Sequence, residues 1–165
     1  MIFVTVGSMF AFDRLVRAID EQVATGLIRD SVFAQIGAGA YQPTALPFER
    51  FVEKVRFEEL LASADCIVSH AGIGSIATAL EHGKPIVVLP RQRRYGEHVN
   101  DHQIATARRY AELGHVLVAF DERQIPAALE QVADFRPRPR RVNVAGIAVR
   151  IAGFLRDAQA QARSR

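Results

Sequence analysis

The sequence of 165 residues has little cysteine, no long apolar run and no signal-peptide pattern at its start. One cysteine, Cys66, excludes a disulfide framework and is typical of a protein from a reducing compartment such as the cytoplasm. No apolar run approaches the roughly 18 residues that a membrane-spanning helix needs. The first residues, MIFVTVGS, lack a basic flank and a cleavage site, so we expect a buried strand there. The composition, 49% hydrophobic and 24% charged, predicts one soluble globular domain.

Charge is unevenly distributed along the chain. Residues 1–135 carry 13 Lys/Arg against 17 Asp/Glu, whereas residues 136–165 carry eight arginines and one acidic residue, Asp157. A basic tail on an acidic body indicates a negatively charged partner, although a solvated tail explains it equally well. Among such partners nucleic acid is the least favoured, because aromatic residues are not interleaved with the arginines. We therefore expect no nucleic-acid partner.

Short apolar runs alternate with amphipathic segments. We predict strands at residues 2–6, 31–36, 48–52, 66–69, 86–89 and 115–120, and helices at 12–24, 57–64, 74–82, 99–113 and 125–133. This alternation predicts an α/β fold with a Rossmann-like, doubly wound parallel sheet. We divide the chain into a domain over residues 1–135 and a basic linker with a C-terminal amphipathic helix over residues 136–165.

The sequence SHAGIGS, residues 69–75, follows a predicted strand and opens a predicted helix. Ligands of such sheets bind beyond the carboxyl ends of the strands. Gly72 and Gly74 permit close approach of a ligand, and the helix N-terminus can hold a diphosphate without a cationic side chain. His70 and Ser75 can donate hydrogen bonds to it. The alternative is a purely structural turn in which His70 bonds a nearby carbonyl.

Two further segments are predicted at the same edge of the sheet. Gly7 and Ser8 end the first strand and would frame the same cleft. A polar cluster follows the strand at 86–89 and could bind sugar hydroxyls, although a solvated helix start is the alternative; it comprises Glu97, His98, Asn100, Asp101 and Gln103.

Motifs of other chemistries are absent from the sequence. No Gly-x-Ser-x-Gly surrounds Ser75, and no Gly-x-Gly-x-x-Gly follows the first strand. His98 and His102 stand four residues apart and would share one helix face if the helix predicted from about residue 99 begins one residue earlier; Asp101 is nearby, but the pattern is not His-Glu-x-x-His. We therefore expect no metal.

Together these segments resemble the donor-binding half of GT-B glycosyltransferases of the family-28 C-terminal type. The resemblance spans roughly residues 1–120 and is carried by FVTVGS (3–8), FDRL (12–15), SHAGIGS (69–75), GKP (83–85) and GEHVNDHQ (96–103). It is strongest to the small subunits of two-chain glycosyltransferases, namely the GlcNAc transferase of the dolichol pathway and bacterial PssE-type exopolysaccharide proteins.

The resemblance implies that the chain is a single GT-B half-domain that binds a UDP-sugar. A membrane-associated partner subunit would supply the acceptor-binding half and the lipid-linked acceptor. The pair would transfer a sugar to a polyprenyl-diphosphate-linked acceptor in exopolysaccharide or glycan biosynthesis, at the cytoplasmic face of the membrane and without a cofactor. The alternative is a non-catalytic nucleotide-binding subunit with a regulatory or scaffold role.

The resemblance also implies site residues. The UDP-sugar would contact Gly7, Ser8, His70, Gly72, Gly74, Ser75, Glu97, His98, Asn100, Asp101 and Gln103. His70 and His98 are candidates for a general base, which stays unassigned. Many relatives carry a glutamate for the ribose eight residues after the motif histidine, where this chain has Thr78, with Glu81 almost one turn later. On the two-chain interpretation, the basic, amphipathic tail would dock on the partner and approach anionic lipid; the alternative is that its apolar face folds back on the chain's own sheet. If the tail docks on the partner, removal of residues 142–165 is expected to abolish co-purification.

Overall fold

The computed structural model describes residues 1–139 together with Ala152 and Phe154. Within them lies one parallel sheet with the strand order β3-β2-β1-β4-β5-β6. Its strands are β1 (Ile2–Thr5), β2 (Val32–Gln35), β3 (Phe48–Glu49), β4 (Cys66–His70), β5 (Ile86–Leu89) and β6 (Leu117–Val118). Its helices are α1 (Asp13–Ala24), α2 (Lys54–Ser63), α3 (Ile73–Glu81), α4 (His102–Glu112) and α5 (Ile125–Glu130). This order confirms the predicted doubly wound α/β fold.

Hydrophobic cores lie on both faces of the sheet. Neighbouring residues of a strand point to opposite faces, so Phe3 and Val4 of β1 belong to different cores. Helices α1 and α5 cover the face with Val4, and α2, α3 and α4 cover the face with Phe3. Cys66 of β4 lies in the Val4 core, and burial raises the pKa of its thiol to about 12.

Helix α4 begins at His102, three residues later than predicted. The Oδ1 atom of Asp101 accepts a hydrogen bond from the N–H of Arg93, and Oδ1 of Asn100 accepts one from the N–H of His102. Such side-chain bonds hold the preceding residues in a turn. The prediction that His98 and His102 share a helix is therefore wrong.

Other boundaries move by a few residues. Helix α2 begins at Lys54 rather than at residue 57, and β6 covers only two of the six residues predicted for that strand. At the end of the described segment, the N–H of Arg138 donates to the carbonyl of Gly114 (2.9 Å). The predicted helix of the basic tail lies outside the described residues. Among the helices that are described, none has the length and apolar character needed to cross a bilayer.

Asp20 fastens the loop between β2 and β3 to helix α1. Its carboxylate, which is 2% exposed, accepts hydrogen bonds from the N–H groups of Thr44 and Ala45 and from the hydroxyl of Tyr41 (2.7 Å). Burial works against ionisation, but the bonds from Thr44, Tyr41 and Ala45 outweigh it and lower the pKa of Asp20.

We expect the substitution Asp20→Asn to lower the free energy of unfolding by about 1.5–3 kcal/mol at pH 7, because buried hydrogen bonds to a charge are lost. Tyr41→Phe removes one of these bonds and should cost about 1 kcal/mol. The pKa of Asp20 is lower in the folded chain, so its contribution is complete above about pH 4 and disappears as the pH falls through the folded pKa. Urea unfolding at pH 7 and pH 3 measures this; equal losses for the two variants would contradict the role of the charge.

Candidate functional site

A cavity of about 260 Å³ opens at the carboxyl edge of the sheet, beside the ends of β1, β4 and β5. Strands β1 and β4 pair in parallel with Thr5 opposite Ser69, so the loops that follow them leave the sheet side by side. The cavity is lined by Val6, Gly7, Ser8, Met9, Phe10, His70, Gly74, Ser75, Arg91, His98 and Gln103. The structure thus brings together seven of the residues predicted from the sequence, namely Gly7, Ser8, His70, Gly74, Ser75, His98 and Gln103.

Two of the glycines make room for the His70 ring. A Cβ atom on Gly7 would lie 2.9 Å from Nε2 of His70, and one on Gly72 would lie 2.1 Å from Cε1. Gly7 also has a φ of 75°, a left-handed conformation that L side chains rarely adopt. At Gly74, by contrast, a Cβ would meet nothing within 4 Å. Gly74 therefore leaves open space for a ligand, whereas Gly7 and Gly72 accommodate the imidazole.

The N-terminus of α3 presents unused hydrogen-bond donors. The helix begins at Ile73 with Gly72 as its N-cap and no side-chain cap. Among the described residues, no protein acceptor meets the N–H groups of Ile73, Gly74 and Ser75. Together with the positive end of the helix dipole, these groups form an anion-binding corner. The N–H of Gly7 instead donates to the Thr5 hydroxyl (3.3 Å), so the β4–α3 corner carries the free donors.

A chain of hydrogen bonds sets the orientation of His70. The N–H of Arg91 donates to Oε1 of Gln103 (3.1 Å), so the Gln103 amide turns its Nε2 toward Nδ1 of His70 (3.4 Å). Because Nδ1 accepts this bond, Nε2 carries the hydrogen and faces Oγ of Ser75 (3.2 Å). The Ser75 hydroxyl accepts from the ring, and its own hydrogen is available to an anion at the helix N-terminus.

Both histidines at the cavity are held as neutral donors. Burial, followed by the charges of Arg91 and His98, lowers the pKa of His70 to about 3, against a small opposing effect of the Gln103 bond. Burial and the neighbouring His102 and Arg91 also lower the pKa of His98, whose Nδ1 accepts from the N–H of Val99 (3.0 Å). Neither ring offers an unengaged basic nitrogen, so the geometry favours hydrogen donation over general-base catalysis.

Arg91 lines the cavity and was missed as a site residue by the sequence reasoning, which required no cation at this corner. Its side chain is buried, and Nη2 donates to the carbonyls of Val6 (2.8 Å) and Phe10 (2.7 Å). The guanidinium lies 4.9 Å from the ring centroid of Phe12. Burial lowers the pKa of Arg91 to about 10, partly opposed by Glu97, so the group is a cation at pH 7. An arginine two residues after the end of the apolar strand β5 was the available signal.

Other predicted site residues lie outside the cavity lining. Glu97 accepts hydrogen bonds from Nε (2.7 Å) and Nη2 (2.9 Å) of Arg14 and from the N–H of Gln92 (2.9 Å). Asn100 and Asp101 accept bonds from backbone N–H groups, as described for the turn before α4. The structure gives these three side chains internal partners, and their contact with a sugar stays a prediction.

Two further predictions concern the ribose contact and the absence of a metal. Thr78 of α3 is not among the residues that line the cavity. The part of the chain that is described contains no group of three or more His, Cys, Asp or Glu side chains placed to hold a metal ion. The expectation of a site that works without metal stays a prediction.

Comparison with known proteins connects this site to a family. Residues 1–150 match the glycosyltransferase family 28 C-terminal domain. The chain is 33% identical over 123 residues to the UDP-N-acetylglucosamine transferase subunit ALG13 of Mus musculus, covering 69% of this chain and 10% of that protein. It is 32% identical over 98 residues to the UDP-N-acetylglucosamine--N-acetylmuramyl-(pentapeptide) pyrophosphoryl-undecaprenol N-acetylglucosamine transferase of Thermus thermophilus, covering 58% of this chain and 28% of that enzyme.

A solved structure supports the fold. The solution NMR structure of ALG13 superposes with a TM-score of 0.56 at 21% identity, covering 91% of this chain and 93% of that chain. At this identity the likeness concerns the fold alone. The chain spans well under half the length of the mouse and Thermus relatives.

We expect acid to destabilise the fold through His70. Its folded pKa, about 3, lies below the roughly 6.5 of an unfolded histidine, so only the unfolded chain binds a proton between these values. The free energy of unfolding should therefore fall below about pH 6.5, by at most about 1.4 kcal/mol per pH unit from this group. His70→Gln should flatten this dependence between pH 6.5 and 4.5 in urea titrations. The same slope in the wild-type and variant proteins would contradict a neutral, buried His70.

Proposed function

This chain belongs to the glycosyltransferase family 28 C-terminal domain family, and we propose that it is the UDP-sugar-binding subunit of a two-subunit glycosyltransferase. The name of the mouse relative describes such a UDP-N-acetylglucosamine transferase subunit. Within this proposal the described cavity is the donor site.

The observation that carries the proposal is the set of unused donors at the N-terminus of α3. Three backbone N–H groups without protein acceptors in the described chain, the Ser75 hydroxyl and the open space at Gly74 meet at one point. A nucleoside diphosphate has the negative charge and the acceptor oxygens that such a corner binds. Fixed donors would also stabilise the charge that develops on UDP as it leaves the sugar, and within this proposal the transfer would proceed without a metal or other cofactor.

A second subunit would complete the cleft. Met9 and Phe10 line the cavity, and Ile73 and Val99 are the sequence neighbours of the lining residues Gly74 and His98. We call these four exposed side chains, Met9, Phe10, Ile73 and Val99, the apolar rim. Met9 is 83% and Val99 is 75% exposed, which is a large apolar exposure beside a binding site. We propose that a membrane-associated acceptor-binding subunit covers this rim at the cytoplasmic face of the membrane.

The acceptor would be a sugar linked to polyprenyl diphosphate, in exopolysaccharide or glycan biosynthesis. The name of the Thermus relative specifies a pyrophosphoryl-undecaprenol acceptor, which supports this class. The general base would come from the partner, because the rings of His70 and His98 have their Nδ1 atoms engaged. The isolated chain would then bind the donor without transferring the sugar.

Calorimetry with UDP, UMP, ADP and NAD tests the donor site. We expect the isolated chain to bind UDP about tenfold more tightly than UMP, since the second phosphate adds charge-assisted hydrogen bonds, and more tightly than ADP or NAD. Equal affinity for UDP and ADP, or binding of neither, would refute the UDP-sugar assignment. Rapid transfer by the isolated chain would refute the division of labour between subunits.

A negative charge placed at residue 75 should distinguish a catalytic UDP-sugar-binding subunit from a non-catalytic scaffold subunit. Ser75→Asp should weaken UDP binding at least about tenfold through repulsion of the diphosphate, and stop transfer in the reconstituted pair. The carboxylate lies in the first turn of α3, where it favours the helix, so the free energy of unfolding should not fall.

Ser75→Asn is the matched control, because it has the same size without the charge. We expect it to weaken UDP binding by only about threefold, the loss of one neutral hydrogen bond. Undiminished transfer by the Ser75→Asp pair would favour the non-catalytic scaffold.

A further inference from the structure

We propose that Arg91 makes the cavity selective for a diphosphate over a monophosphate, an inference that rests on the proposed donor site. Its guanidinium would act as a second positive centre beside the N-terminus of α3. Arg91 would then be a specificity-determining residue of this chain.

The cavity holds a cation without a matching anion. Among the described residues that line it, none is Asp or Glu, and Arg91 is the one arginine. The nearby carboxylates are taken by another arginine, since Arg14 pairs with Glu97 (2.7 Å) and with Glu122 (2.8 Å). Arg91 itself forms no salt bridge within the described chain and bonds backbone carbonyls instead.

The position of this charge is fixed by packing. The two bonds from Nη2 to the carbonyls of Val6 and Phe10 hold the guanidinium against the loop that leaves β1. Its Nε atom is buried and has no hydrogen-bond partner among the described residues. A fixed, partly unsatisfied cation in a poorly solvated wall interacts with a ligand anion more strongly than a surface arginine does.

Glu97 is the carboxylate that acts on Arg91, but it lies outside the cavity lining and is bonded by Arg14, and the other lining residues carry no charge. His70 and His98 are neutral at pH 7, as their lowered pKa values require, and Gln103 is an amide. The cavity therefore presents two positive regions, the α3 N-terminus and Arg91. Two linked phosphates can meet both regions at once, whereas a single phosphate can occupy only one, so the benefit of Arg91 should be larger for UDP than for UMP.

The test compares the affinities of UDP and UMP in four proteins by calorimetry. Arg91→Gln removes the charge, Arg91→Lys keeps it without the guanidinium fork, and Arg93→Gln removes an exposed arginine from the same loop as a matched control. We expect Arg91→Gln to weaken UDP binding at least about tenfold and UMP binding about threefold or less. Arg91→Lys should keep the preference for UDP, and Arg93→Gln should change both affinities less than about twofold.

Several outcomes would overturn the inference. If Arg91→Gln and Arg91→Lys lose UDP and UMP affinity in equal proportion, Arg91 acts by anchoring the loop through its hydrogen bonds and not by selecting charge. Unchanged UDP affinity in Arg91→Gln would exclude any role in binding. Arg91→Gln also loses the two hydrogen bonds to backbone carbonyls, so Arg91→Met provides a second neutral variant. If neither variant folds, Arg91 has a structural role in the fold and the inference is overturned.

Failure of the proposed function gives a different result. Suppose that the wild-type protein binds inorganic pyrophosphate more tightly than phosphate but does not prefer UDP to ADP. The role of Arg91 would then stand, and the UDP-sugar assignment would be refuted. If the wild-type protein prefers UDP to ADP but Arg91→Gln does not change its UDP affinity, the donor site would stand and the role of Arg91 would be refuted.

Discussion

The packing of the His70 imidazole between two glycines is the contact on which the cavity depends. The ring occupies the volume that side chains at positions 7 and 72 would fill. Its two nitrogens face Gln103 on α4 and Ser75 on α3. One side chain thus fixes the relative positions of the ends of β1 and β4 and the starts of two helices. A larger residue at either glycine would disturb all of them together.

Two arginines near the cavity differ in their partners: Arg14 is paired with carboxylates, whereas Arg91 is not. Arg14 is surrounded by acceptors, with Glu97, Glu122 and the carbonyl of Pro90 around its guanidinium, and these bonds join α1 to the loops after β5 and β6. The Arg91 guanidinium donates hydrogen bonds only to backbone carbonyls, those of Val6 and Phe10 after β1, and forms no salt bridge within the described chain. The charge of Arg14, which joins parts of the fold, is therefore neutralised by two carboxylates. The charge of Arg91, which lines the cavity, has no carboxylate paired with it in the described chain.

The sheet and the α3 corner could be predicted from the sequence because both follow from local patterns, namely buried strands alternating with amphipathic helices and a glycine-rich turn. The start of α4 could not, since the side chains of Asn100 and Asp101 bind backbone groups and delay the helix. The partner of Glu97 is 83 residues away in the sequence, and no local pattern indicates it. Burial of Arg91 depends likewise on its packing against Phe12 and the β1 loop.

The burial of Cys66 in the sheet has a practical consequence for studying the assembly. A thiol reacts with alkylating reagents as the thiolate, and this one is both covered and held in its protonated form by its raised pKa. It is also the chain's single native cysteine. A cysteine introduced at an exposed position away from the apolar rim, such as that of Arg29, would therefore accept a fluorophore alone. Distances from that dye to a second subunit could be measured without altering the interior of the fold.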